Sequence, residues 1–117
     1  MSFQSTELLE SFTRDSSVEI SELRVDGGAS ISKLLMGIQA DQMQCKIVRP
    51  KNIETTAFGA AALAALGVSF WKSKQQISNL WQKDIIFNPS PWNDELASQR
   101  KLWDIAVERS KNWEEKT

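Results

Sequence analysis

The sequence contains no histidine and no tyrosine, and it has a single cysteine, Cys45. One cysteine excludes a disulfide bond within the chain. Without histidine, the common zinc sites and the histidine-dependent nucleophile triads cannot be assembled. Any chemistry must therefore rest on carboxylates, on the backbone, or on a bound nucleotide or metal.

Long apolar runs and clusters of one charge are also missing. The longest apolar stretch, residues 57–70, is rich in alanine and too short to cross a bilayer, and the N-terminus lacks the pattern of a secretory signal. The 14 basic and 15 acidic residues nearly cancel, and no basic patch is interleaved with aromatic residues. These absences predict a cytoplasmic protein with no membrane-spanning segment and no nucleic-acid partner.

With 117 residues, 41% of them hydrophobic and 25% charged, the chain has the composition of a globular domain. Periodicity and turn residues predict an α/β order of elements. The first half of the chain should form a helix at 3–14, a strand at 22–25, a helix from the glycines to about 42–44, and a strand at 46–49 that Pro50 stops. A third helix should begin at 54–56 with a capping hydroxyl and end at Gly67, and Ser73 should cap a short fourth helix. An extended connector is predicted at 87–91, and a last helix should begin with Ser90 as its N-cap.

Only two strands are predicted, and a helix connects them, so they should pair in parallel. Parallel strands need cover on both faces, and two strands make a poor free-standing sheet. We therefore expect the chain to be part of a larger α/β protein whose other strands lie upstream. A partner chain that supplies strands is the alternative.

Apolar spacing also predicts which residues pack inside. Ile31, Leu34, Leu35 and Ile38 recur at helical spacing and should face the sheet. The small residues of 57–66 predict a buried core helix. The last helix should bury a stripe and keep an acidic, solvated face; the stripe is Leu96, Trp103, Ala106, Val107 and Trp113, and the acidic residues are Glu108, Glu114 and Glu115.

The chain is organised around a glycine turn, residues 26–32, in which Asp26 ends a strand and Gly27 and Gly28 lead into a helix. Glycine allows positive φ and close approach of a ligand to the backbone, and a helix start presents unpaired N–H groups. This arrangement favours a polar or anionic ligand, although Asp-Gly and Gly-Gly also occur in ordinary turns. Asp26 should fix the turn by accepting local N–H bonds.

Several motifs occur in an order that is similar to a known family. They are Leu23-Arg24-Val25-Asp26-Gly27-Gly28-Ala29, Leu34-Leu35-Met36, Gln39-Ala40-Asp41, Val48-Arg49-Pro50, the run from Glu54 to Ala61, Phe70-Trp71, Phe87-Asn88-Pro89, and Ala106-Val107-Glu108-Arg109 before Trp113. Over nearly its entire length, the chain resembles the C-terminal segment of the glycerol kinases, which belong to the FGGY sugar-kinase family.

The resemblance implies an ATP-dependent, Mg²⁺-requiring transfer of phosphate to glycerol, in a cleft between two domains. Each domain would hold a five-stranded sheet of ribonuclease-H type, as in actin, hexokinase and heat-shock chaperone ATPases. Residues 1–117 would be the C-terminal portion of the carboxy-terminal, adenosine-binding domain, with the upstream strands and the whole N-terminal domain absent. The general base, the glycerol site and the phosphate loops would also lie upstream. No residue here is then expected to be catalytic, and the isolated chain should be inactive.

The same resemblance implies a nucleotide-binding role for the glycine turn and no metal ligand. Gly28 would lie against the nucleotide, with Gly27 and Ala29 shaping the turn. Ser32 occupies the position at which the family usually has an asparagine that binds near the adenine. A hydroxyl is shorter and offers one donor instead of two, so the contact should be weaker or bridged by water. Alternatively, Ser32 is simply a residue of the first helical turn.

Other functions stay open at the level of the sequence. A non-catalytic nucleotide-binding or interaction module, associated with a separately encoded N-terminal half, would have the same motifs. Another sugar kinase of the FGGY family would share the fold but should lack Phe70-Trp71 and Trp113. A homo-oligomer is compatible with each of these functions.

Overall fold

Five α-helices and three strands make up residues 1–112, the part of the chain that the structure, a computed structural model, describes. Trp113, Glu114 and Glu115 lie outside the described residues. In chain order the elements are α1 (Ser2–Ser16), β1 (Glu22–Arg24), a 3₁₀ turn (Gly28–Ile31), α2 (Lys33–Met43), β2 (Lys46–Pro50), α3 (Thr55–Gly67), α4 (Lys74–Ser78), β3 (Lys83–Phe87) and α5 (Asp94–Ser110).

The strands form one sheet in the order β1-β2-β3. β1 pairs with β2 in parallel, with Leu23 opposite Ile47, which confirms the predicted pair joined by a helix. β3 pairs with β2 in antiparallel fashion, with Val48 opposite Ile86. The mixed α/β fold is therefore confirmed, but the expectation of only two strands is wrong.

Pro50 was predicted to stop β2 after Arg49, but it is itself the last residue of the strand. The register between β2 and β3 is irregular between Arg49 and Pro50. Proline has no N–H to donate to a ladder, and such a residue is tolerated at an irregularity of this kind.

The core lies between α2 and the sheet. Met36 and Ala40 of α2 pack with Cys45 and Ile47, and Leu9 of α1 lies against this cluster. Burial raises the pKa of the Cys45 thiol. A buried thiol with a raised pKa holds less of the reactive thiolate, so Cys45 is a packing residue.

The predicted inward face of α2 is wrong for three of its four residues. Leu34 is 76% exposed, and Ile31 and Ile38 are exposed as well. Leu35 packs against the core as predicted, together with the buried Met36 and Ala40. α2 carries apolar side chains on both faces, so spacing alone does not decide which face meets the sheet. The small side chain of Ala40, fully buried, lets the helix approach the strands on the Met36 side.

α3 ends at Gly67 as predicted, but it is not a buried core helix. Ala62 is its one buried residue, and Leu63 is 69% exposed. Leu8 and Phe12 of α1 are exposed too. The radius of gyration, 18.5 Å, exceeds the value of about 13 Å that a compact domain of roughly this length would have. Within residues 1–112, apolar helix faces thus lie open to solvent.

The N-cap residues differ in part from the predictions. Ser73 caps α4, and its Oγ accepts a hydrogen bond from Gln76 N at 3.4 Å. Asn93 rather than Ser90 caps α5, and its Oδ1 accepts from Leu96 N at 3.0 Å. Ser90 lies in the connector, where its N–H donates to the Asp41 carboxylate at 2.6 Å. Glu54, not a hydroxyl residue, precedes α3, and it makes no side-chain cap bond.

α5 packs against α1 through its tryptophan. The Trp103 ring stacks on Phe3 with centroids 5.4 Å apart, and its Nε1 donates to Glu7 at 2.9 Å. Leu96 and Val107 of the predicted stripe are half-buried as well, whereas Ala106 is exposed. Glu108 is exposed, as predicted for a solvated face.

Length and polarity rule out a membrane span for each helix that the structure describes.

Candidate functional site

Gly27 lies three residues after the end of β1 and sets the shape of the glycine turn. Its backbone has φ 74° and ψ 176°, a region that essentially only glycine occupies. Its N–H donates to the carbonyl of Ile53 at 2.9 Å, and its carbonyl accepts from the Oγ of Ser30 at 2.7 Å. The turn is thereby tied to the segment before α3, and it requires glycine at this position.

Gly28 is constrained differently, because its φ is not positive. A Cβ placed on Gly28 would meet no other atom of the protein within 4 Å, and the residue is exposed. Packing within the described chain therefore does not require glycine here. The space in front of this backbone is open, which leaves the main chain accessible to a ligand.

Ser32 is the N-cap of α2. Its Oγ accepts a hydrogen bond from Leu35 N at 3.2 Å, and its N–H donates to Ala29 O at 3.3 Å. Ser32 is exposed, and its hydroxyl proton can still be donated outward. The structural role of Ser32 is thus capping, one position before the first turn of the helix.

Ala29 is exposed and lies in the 3₁₀ turn between Gly28 and Ser32. The four residues predicted to contact nucleotide therefore share one surface segment between β1 and α2. α2 begins immediately after this segment, and the first-turn amide of Leu35 is already bonded to Ser32 Oγ, which leaves the amides of Lys33 and Leu34 at the helix start. Such a site favours an anionic or polar ligand.

Asp26 does not fix the turn in the predicted way. Its carboxylate accepts a hydrogen bond from the hydroxyl of Thr55, at the start of α3. The carboxylate therefore joins the end of β1 to the third helix rather than to local N–H groups. Thr55 also meets the expectation of a hydroxyl at this helix start, but the hydroxyl binds Asp26 and does not cap α3.

Arg49 is a residue of the site that the sequence reasoning quoted only as part of a motif. Its Nη1 donates to the carbonyls of Ser30 and Ile31 at 3.1 and 3.2 Å, and its Nη2 lies 2.6 Å from the Asp84 carboxylate. The signal for this role of Arg49 is a cation within a mostly buried strand, opposite an acidic residue on a neighbouring strand. Because β3 was not predicted, that pairing was not visible.

Two adjoining cavities lie at the carboxyl ends of β1 and β2. One of about 300 Å³ is lined in part by Phe58, Leu80 and Trp81. The other, of about 200 Å³, is lined in part by Arg24 and Asp26, and the Arg24 guanidinium lies 4.1 Å from the centroid of the Trp81 ring. Asp26, the first residue of the glycine turn, lines the second cavity, whereas Gly27, Gly28, Ala29 and Ser32 line neither cavity.

Within residues 1–112, no group of three or more acidic, cysteine or histidine side chains is arranged to hold a metal ion.

A sequence profile of the C-terminal domain of the FGGY family of carbohydrate kinases matches residues 1–68, more than half of the chain. The chain belongs to this family. Among curated relatives, it is 47% identical over 115 residues to the glycerol kinases of Rhodopirellula baltica and Deinococcus radiodurans. These matches cover 98% of the chain but only 21% and 23% of the relatives. The chain thus spans about one fifth of the length of the proteins it matches.

Solved structures agree with this assignment. The glycerol kinase of Plasmodium falciparum with ADP superposes with a TM-score of 0.77 and 34% identity over 94% of this chain and 22% of that protein. A xylulose kinase of Lactobacillus acidophilus reaches a TM-score of 0.62 at 22% identity, over 79% of this chain and 18% of that one, which supports the fold alone. The resemblance and the fold class predicted from the sequence are both confirmed.

The two glycines of the turn should differ in what they contribute to stability. Gly27→Ala forces alanine into a glycine-only region, so the free energy of unfolding should fall by about 1–3 kcal/mol. Gly28→Ala meets no neighbour and should change it by less than about 1 kcal/mol. Urea denaturation of the protein with each substitution measures the two changes in the free energy of unfolding. Equal losses would contradict the assignment of Gly28 as a glycine that packing does not require.

Proposed function

We propose that this chain is the nucleotide-binding segment of an ATP-dependent glycerol kinase, which converts glycerol and ATP to glycerol 3-phosphate and ADP. The observation that carries the proposal is the glycine turn, with Gly27 locked by its backbone conformation and Gly28 facing open space. The similarity to a glycerol kinase whose structure holds ADP supports the same assignment.

Each residue of the turn has a separate part in this proposal. Gly27 shapes the turn, Gly28 lets the nucleotide approach the main chain, and Ala29 continues the 3₁₀ turn with a side chain too small to block the approach. Ser32 binds near the adenine through its hydroxyl proton while its oxygen caps α2. Bound ATP would supply the phosphoryl group, and these residues would hold and orient it.

We also propose that residues 1–117 form the C-terminal portion of the adenosine-binding domain of a longer kinase. Three features support this: the exposed apolar faces of α1 and α3, the position of β1 at a sheet edge, and the one-fifth coverage of the relatives. Upstream strands would pair with β1 and cover those faces. An unpaired edge strand and open apolar surface are otherwise liabilities.

From this proposal we expect the partners of the kinase to be nucleotide, glycerol and Mg²⁺. We expect it to act in the cytoplasm and to bind no nucleic acid. The metal would be held by the phosphates and by groups upstream of this chain. Assembly with an N-terminal half, or as a homo-oligomer, is compatible with the exposed apolar surface.

We expect residues 1–117 alone to show no glycerol-dependent turnover of ATP, because phosphoryl transfer needs positioned groups that this segment lacks. A coupled assay for ADP release, with and without glycerol, measures this. The full-length protein, assayed with glycerol and with a panel of sugars, is the positive control and tests the choice of substrate. Turnover that copurifies with the 117-residue chain would overturn the fragment proposal.

Gly28→Val in the full-length kinase should raise KM for ATP by about tenfold or more, since a branched side chain enters the space proposed for the nucleotide. KM for glycerol and the melting temperature should change little, because a Cβ at this exposed position has no neighbouring protein atom within 4 Å. Steady-state kinetics with each substrate varied in turn measures the difference. Equal damage to both constants, with a lower melting temperature, would make Gly28 a folding residue.

Ser32→Asn should tighten ADP binding from a few-fold to about tenfold, the effect of one added neutral hydrogen bond. Asparagine caps a helix as well as serine does, so α2 should keep its stability while the amide offers an additional donor. Calorimetric titration with ADP and thermal unfolding of the full-length protein test the two effects side by side. Ser32→Ala is the matched control and should weaken the cap without a gain in affinity.

A further inference from the structure

Arg49 connects the sheet to the glycine turn through a set of four hydrogen bonds. Its side chain, on the next-to-last residue of β2, is only 11% exposed. Nε and Nη2 both donate to Oδ2 of Asp84 on β3, at 3.1 and 2.6 Å. Nη1 donates to the carbonyls of Ser30 and Ile31, at 3.1 and 3.2 Å.

The two halves of this set have different tasks. Bonds between a guanidinium and a carboxylate are charge-assisted and directional, so Asp84 orients the plane of the Arg49 side chain. The guanidinium is a rigid fork, and its opposite side is thereby aimed at the turn. The carbonyls it meets belong to the last two residues of the 3₁₀ turn, where helical carbonyls lack partners.

The remaining anchors of the turn lie on either side of this contact. Gly27 N–H binds Ile53 O at 2.9 Å, and Ser32 begins α2 as its N-cap. Between them, Ser30 is buried and Ile31 is exposed. Arg49 is thus the side chain that holds the middle of the turn on the sheet. A segment ordered before a ligand arrives loses less conformational entropy on binding.

We infer that Arg49 is a positioning residue for the nucleotide site and that Asp84 orients it. This inference rests on the proposed function of the glycine turn. Arg49 acts through the carbonyls of Ser30 and Ile31 and is not assigned to any reacting atom. Lysine cannot replace it fully, because one ammonium group cannot span Asp84 and both carbonyls as a planar fork does.

The test compares Arg49→Met with a matched variant, Arg100→Met, in the full-length protein. Arg100 has a similar environment, with 19% exposure and a 2.6 Å bond to the Glu10 carboxylate, but it links α5 to α1 away from the turn. Both changes delete one guanidinium from an ion pair and keep an unbranched side chain. A loss of general stability should therefore affect both variants.

Hydrogen exchange and ADP titration give the two readouts. In Arg49→Met, the amides of Ser30 and Ser32, which bond within the turn, should exchange about tenfold faster or more, and ADP affinity should fall about tenfold. In Arg100→Met, both quantities should stay within about twofold of the unmodified protein. ADP binding should slow the exchange of the same turn amides in the unmodified protein.

Two milder variants keep the inference testable should Arg49→Met fail to fold. Asp84→Asn keeps an acceptor oxygen but removes the charge that orients Arg49, and Arg49→Lys keeps the charge but not the fork. Relative to the unmodified protein, both should weaken ADP binding and both should speed exchange in the turn.

Unchanged exchange in the turn of these variants would overturn the inference. Unchanged ADP affinity in variants of a protein that itself binds ADP would overturn it too, as would an equal loss in Arg100→Met. An unmodified protein that binds no ADP would overturn the proposed function, and with it the role of Arg49 in nucleotide binding. The exchange data would then still decide whether Arg49 holds the turn.

Discussion

The backbone conformation of Gly27 determines where the chain goes after β1. With φ at 74°, the chain leaves the strand in a direction that a residue with a Cβ would not take without strain, and it enters the 3₁₀ turn and then α2. The N–H of Gly27 donates to Ile53 O and its carbonyl accepts from Ser30, which holds the turn beside the segment before α3. The position of the helix start, and of the surface in front of Gly28, follows from that one conformation.

Around this point, two contacts from distant parts of the chain support the turn, and a third contact supports one of them. Thr55 at the start of α3 binds Asp26, Arg49 of β2 binds the carbonyls of the turn, and Asp84 of β3 binds Arg49. Apolar burial is concentrated in a small core between α2 and the sheet. Order at the site therefore depends largely on directional polar contacts.

Much of the fold could be predicted from local sequence, because caps, glycines and prolines act on their neighbours. The bounds of α3 and the parallel β1–β2 pair are examples. What depends on distant residues could not be predicted. β3 is a strand because β2 offers it an edge, and the bond from Ser90 N–H to the Asp41 carboxylate joins residues 49 positions apart in sequence. The glycine turn was likewise evident from Asp26-Gly27-Gly28, whereas the bond from Arg49 to Ser30 spans nineteen residues of sequence and leaves no local signal.

The burial of the lone cysteine has a practical consequence. Cys45 lies in the core beside Ile47, at the end of α2, and burial raises the pKa of its thiol. An alkylating reagent meets this sulfur mainly when the segment between α2 and β2 opens, so the labelling rate at constant pH reports the frequency of that opening. Because residues 1–117 hold no second thiol, the signal from this segment has a single source and needs no engineered probe.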